Sequence, residues 1–134
     1  DVEPAVFKQL LRWLYTGQCE EGAIDAMADH LFVAAAKFGV PSLQALASRT
    51  MVAALDAEKL CDYFALAHAH DDEELKAMCA ALMVEDMAAV VQTEGWARLE
   101  AERPQLAAEL VKSMAAQAAS AGGGGQGKKR KHGQ

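Results

Sequence analysis

Four histidines, three cysteines and one acidic run are the residues of this 134-residue chain whose chemistry could reach beyond packing. His68 and His70 stand two apart, a spacing that sends them to different faces of a helix, so they make no shared metal or base site. His30, Cys61 and Cys79 are single residues on apolar or mixed faces. With Cys19 the cysteines are odd in number, widely spaced and without a CxxC pair, a pattern of free thiols in a reducing compartment. The run Asp71-Asp72-Glu73-Glu74 lacks the alternating oxygen ligands and the glycine of a calcium loop and reads as a solvated helix cap. No Gly-rich phosphate loop, nucleophile elbow or His-Glu-x-x-His is present. The expectation is therefore no catalytic residue, no metal, no cofactor and no enzyme activity.

The elements that would position any site are helices. Over half the residues are apolar and aromatics make up only 6%, with alanine abundant, which favours helix over strand. Punctuation divides the body into about seven helices. Pro4 suits a first helical turn and Gly17 a left-handed stop. Asp25 can cap the second helix, and Phe38-Gly39-Val40-Pro41 reads as a stop followed by a restart. Asp56 can cap the fourth, and the acidic run offers the fifth an Asp-x-x-Glu capping box. Apolar residues recur at helical spacing: Val6, Leu10, Leu14; Met27, Leu31, Ala34, Phe38; Leu43, Leu46, Thr50; Leu60, Phe64, Ala67; Leu75, Met78, Leu82; Leu106, Leu110, Met114. Short connections between such helices predict a stack of antiparallel hairpins, an all-α fold.

Charge is divided along the chain. The formal net charge is −6, and since Lys128, Lys129, Arg130 and Lys131 supply four positive charges, the remainder stands at −10. An acidic body is a poor surface for nucleic acid, whose binding depends on Lys and Arg. No apolar run approaches the ~18 residues of a membrane span. After Ala115 to Ala121 the sequence passes into Gly122-Gly123-Gly124-Gly125-Gln126-Gly127, read as a flexible linker, and then into the basic cluster.

Several stretches taken together resemble one family. The first helix carries Val6-Phe7, Leu10-Leu11 and Trp13-Leu14-Tyr15-Thr16-Gly17. The second carries Met27-Ala28-Asp29, Leu31 and Ala34-Ala35-Ala36-Lys37-Phe38. Leu66-Ala67 with His70, Leu75-Lys76, Thr93-Glu94-Gly95-Trp96 and Pro104-Gln105-Leu106 with Glu109 follow in order. This series is similar to the second half of a BTB/POZ domain followed by the three-box and BACK region of the speckle-type POZ protein (MATH-BTB) family. The resemblance implies a helical part of a BTB/POZ domain over 1–55, a three-box/BACK-like extension over 56–119, and a disordered linker and basic tail over 120–134. It also implies that the strands, the main dimer helices and a hydrophobic-x-Glu cullin-binding motif lie outside this chain.

Function follows from the same resemblance. Members act as substrate adaptors of cullin-3 ubiquitin ligases, homo-oligomerise through BTB, and hold substrate on a separate upstream domain. Carried over, the cullin-binding candidates are Phe38, Val40 and Pro41 at the turn between the second and third helices, and Leu60, Phe64 and Leu75 as a groove in the extension. Apolar residues at this spacing are core more often than interface, and Leu60 and Leu75 are read as core. The basic cluster Lys128, Lys129, Arg130 and Lys131 is similar to a nuclear-import signal and implies a nuclear, possibly also cytoplasmic, location. Departures stand at Ala36, at Ala47-Ser48 and at Glu85, where a charge replaces an aromatic residue of the self-association helix. A BTB interaction module without a ligase role, such as a nuclear scaffold or corepressor, is the alternative. With the first helices' usual packing partners absent, Val6, Phe7, Leu10, Leu14 and Phe32 are expected to face water.

Overall fold

The computed structural model describes the backbone of residues 2–132 and the side chains of residues 2–120. Eight helices and no strand occur among the described residues: α1 Pro4–Thr16, α2 Ala23–Phe38, α3 Pro41–Ala53, α4 Ala57–Ala69, α5 Glu73–Glu85, α6 Met87–Val90, α7 Glu94–Glu102 and α8 Pro104–His132. They form two compact units that divide between Leu55 and Asp56.

In the first unit α2 packs against both α1 and α3. Leu31, Phe32, Ala34 and Ala35 of α2 are buried with Val6 and Leu10 of α1 and Leu43, Ala47 and Met51 of α3. Alternating large side chains with alanines lets neighbouring helices interdigitate at close range. The expectation that Val6, Leu10 and Phe32 face water is thus corrected: α1–α3 bury them among themselves. Phe7 and Leu14 of the same expected set do remain exposed, joined by Leu11, Tyr15 and Phe38. Gln9, also buried, donates to Glu20 Oε1 at 2.7 Å and accepts from the Glu20 amide at 2.9 Å, pinning the 17–22 loop onto α1.

In the second unit α5 packs against α4 and α8, and α7 against α4 and α8. Its core is Leu60, Cys61, Phe64 and Ala67 of α4, Leu75, Cys79, Ala80 and Met83 of α5, and Val90, Leu99, Leu106 and Leu110. The α5 stripe is rotated from the one predicted: Met78 and Leu82 are half-buried while Cys79, Ala80 and Met83 are buried. From Ala77 to Val84 this helix is apolar at every position, so its period there does not single out the inward face. Gly95 marks where α7 crosses α4 closely; a Cβ there would stand 3.2 Å from the Glu58 carbonyl oxygen.

Helix ends follow the local chemistry. Pro4 and Pro41 sit in first turns, and Gly17 and Gly39 end α1 and α2 in left-handed conformation. Asp56 accepts from the Lys59 amide at 3.0 Å, and Thr93 from the Trp96 amide at 3.1 Å. Two expectations shift. Gly22, at φ 79°, precedes α2, and Asp25 lies in its first turn, ahead of a break at Met27 (φ −138°, ψ 36°). At α5 it is Asp72 that accepts from the Leu75 amide at 2.9 Å, while Asp71 takes a left-handed φ of 55°, which aspartate tolerates better than most residues. Asp56→Ala and Asp72→Ala should each lower stability by about 1 kcal/mol in urea titrations, the usual cost of an N-cap, with no change of fold by circular dichroism.

Candidate functional site

The turn from α2 into α3 is closed by its own backbone. Gly39 turns the chain at φ 70°, its amide and that of Val40 reaching back to the Ala36 and Ala35 carbonyls at 3.4 and 2.8 Å. This paired closure is a Schellman arrangement, which leaves few carbonyls of the helix end unpaired. The chain then enters α3 at Pro41. Phe38 projects here, 49% exposed, with its ring centroid 6.1 Å from that of Phe7 at an interplanar angle of 58°. Pro41 is exposed and Val40 half-buried. These three sequence-derived candidates thus stand together on one accessible turn.

The second set is placed otherwise. Leu60, Phe64 and Leu75 are 2%, 0% and 0% exposed and form part of the packed interior of the second unit. A side chain with no exposed surface offers no atoms to a partner, so in this conformation these residues hold α4 and α5 together and line no open groove. Ser48, one of the departures that the resemblance implies, is buried with its hydroxyl donating to the Ala45 carbonyl, and Glu85 is exposed. The basic cluster Lys128 to Lys131 and the glycine run lie outside the residues whose side chains are described.

The second unit holds a polar node that sequence reading missed. Lys76, within the α5 core face, has a side chain only 8% exposed, and its ammonium donates to Glu109 of α8. Glu73 lies 3.6 Å and His68 Nδ1 3.4 Å from the same nitrogen, which also stands 5.7 Å from the centroid of Phe64. The only sequence signal was a lysine on an otherwise apolar stripe; its partner lies 33 residues away. Pairing with Glu109 holds the Lys76 ammonium above its ordinary value, and the same bond holds the Glu109 carboxyl below its own. This node is structural: it ties α5 to α8.

Burial pushes the thiols of Cys61 and Cys79 up to about 11 and about 12, so both stay protonated and unreactive near neutrality. Two clefts of the second unit, about 170 Å³ beside Cys61 and Arg98 and about 240 Å³ beside His68 and Arg103, are smaller than the ~300 Å³ at which small-molecule pockets begin. Among the described residues no group of His, Cys, Asp or Glu is placed to hold a metal, and no helix is long and apolar enough to cross a membrane.

Glu109 sets an acid dependence. A carboxyl held below its ordinary 4.5 in the folded chain contributes stability above that pH, and the contribution drains away as pH falls through the lowered value. Lys76, held above 10.5, contributes throughout the range below that and loses it only in strong alkali. Glu109→Gln should therefore cost up to about 1 kcal/mol at pH 7, since a carboxylate 39% exposed is screened by solvent, and less at pH 3. Urea titrations at the two pH values check this; an equal deficit at both would assign the loss to packing.

Comparison with known proteins divides the chain as the fold does. The BTB/POZ domain family matches residues 1–55, and the BPM/SPOP BACK domain family matches residues 61–111. The BTB/POZ and MATH domain-containing protein 3 of Arabidopsis thaliana is 30% identical over an aligned stretch of 142 positions, which covers 97% of this chain and 35% of that protein. The chain thus spans about a third of the length of this curated relative.

Proposed function

We infer, for a chain that carries BTB/POZ sequence in one helical unit and BACK sequence of the BPM/SPOP type in the other, that it serves as the cullin-binding part of a ubiquitin-ligase substrate adaptor. BTB domains mediate protein–protein interaction, and BTB and BACK domains are of the adaptor type and generally not enzymes. In this role the Phe38–Pro41 turn docks cullin-3, with substrate held by another part of the intact protein. What supports it most is the exposure of Phe38: a large aromatic at 49% accessibility, on a turn closed by its own backbone, in the position that the family resemblance assigns to the cullin. Aromatic side chains presented in this way are common energetic centres of interfaces.

The test uses the whole chain and the N-terminal region of cullin-3. Phe38→Ala should weaken binding by roughly tenfold or more in calorimetry, as truncation of an anchored aromatic does, while stability falls by less than about 1 kcal/mol because the ring is half in water. Affinity untouched by the substitution removes the turn from the interface. No binding by the unaltered, folded chain at micromolar concentration favours a BTB interaction module without a ligase role.

The cluster Lys128-Lys129-Arg130-Lys131 acts as a nuclear-import signal, since a compact run of cations is the chemistry that import receptors read. Replacing all four with alanine should reduce nuclear accumulation of a large fluorescent fusion, with helicity of the folded units unchanged. Unaltered distribution makes the run a solubilising tail.

A further inference from the structure

The docking turn is held from outside as well as by its own backbone, and both outside contacts come from one helix. Phe7 lays its ring against Phe38 at the start of the turn. Trp13, six residues and about 9 Å further along α1, donates its indole Nε1–H to Ser42 Oγ at 3.1 Å at the end of the turn. Between these two points none of the residues Phe38 to Ser42 is buried; four are exposed and Val40 is half-buried. So little packing within a surface segment leaves its order to backbone bonds and to such clamps. A segment that must be ordered on binding loses affinity in proportion to the conformations it gives up.

We propose that Phe7 and Trp13 are positioning residues for partner docking: together they clamp the two ends of the Phe38–Ser42 turn, so that Phe38 meets its partner already in the bound conformation. The proposal rests on the reading of this turn as the cullin-docking surface and adds the residues that pre-organise it. Trp13 acts through Ser42 and Phe7 through Phe38. Part of the turn's binding competence is thus written in α1, a helix that the candidate contact residues do not include.

Trp13→Phe keeps the ring and removes the N–H, and Ser42→Ala removes the acceptor on an exposed side chain, so neither threatens folding. Two readouts separate positioning from general support. Without partner, hydrogen exchange at the Gly39 and Val40 amides should quicken in either variant while exchange in the buried middle of α2 and α3 is unchanged. With the N-terminal region of cullin-3, calorimetry should show affinity weakened by about three- to tenfold, the range for losing one hydrogen bond at an exposed site. The double variant should be no weaker than the weaker single one, since both remove the same bond. Ser42→Thr, which keeps the hydroxyl, should restore both readouts, and Phe7→Leu should loosen the Phe38 end alone. Unchanged exchange at Gly39 and Val40, or quickened exchange with unchanged affinity, overturns the proposal. Both outcomes are read against an unaltered chain that binds; a chain that does not bind refutes the docking reading first, and the positioning role with it.

Discussion

The left-handed turn at Gly39 is the constraint on which the first unit depends. It stops α2, closes the last carbonyls of that helix through the Gly39 and Val40 amides, and delivers the chain to Pro41 in the direction that lets α3 fold back on α2. A residue with a Cβ at that φ would be strained by ~1–2 kcal/mol although nothing crowds the position, because the penalty arises in its own backbone. With the reversal fixed, Ala34 and Ala35 of α2 and Leu43 and Ala47 of α3 are buried together. The same reversal exposes Phe38, so the geometry that builds the core also presents the proposed docking residue.

The second unit solves a different problem, since one of its inward positions is a lysine. An ammonium at 8% exposure is tolerable only with a carboxylate beside it, and Glu109 reaches it from α8. Packing of α8 against α5 is thereby tied to one register, because sliding the helix by a residue would separate the pair. Small residues complete the arrangement: Ala67, Cys79 and Ala80 are buried on α4 and α5, and Gly95 lets α7 approach the Glu58 carbonyl.

Much of this was legible in the sequence, and the failures have physical causes. Prolines and glycines marked α1, α2 and α3, and Asp56 announced α4, because caps and stops act over three or four residues. The family resemblance was carried by residues spread over most of the chain, and the BTB/POZ and BACK matches agree with it. Periodicity located apolar faces but could not choose between them where a helix has two. In α1 the stripe Val6, Leu10 and Leu14 splits, with the first two buried and Leu14 at 58% exposure, since Phe7, Leu11, Leu14 and Tyr15 form a second apolar face beside the first. In α5 every position from Ala77 to Val84 is apolar, and past Leu75 the buried set lies one residue on from the predicted one. Phe38 and Phe64 look alike as aromatics at helical spacing, yet one is exposed and the other sealed. What separates them is Gly39, one residue after Phe38. The links Phe7 to Phe38, Trp13 to Ser42 and Lys76 to Glu109 span about thirty residues each and have no local signature.

The surface proposed to meet cullin-3 is the exposed Phe38–Pro41 turn, and not the buried Leu60, Phe64 and Leu75 of α4 and α5. Titrating an isotopically labelled chain with the N-terminal region of cullin-3 and following its amide resonances addresses this directly. Docking at the turn would give saturable shifts concentrated at residues 38–42, with the amides of Leu60, Phe64 and Leu75 still. Shifts confined to α4 and α5, or none at all from a folded chain, would contradict it.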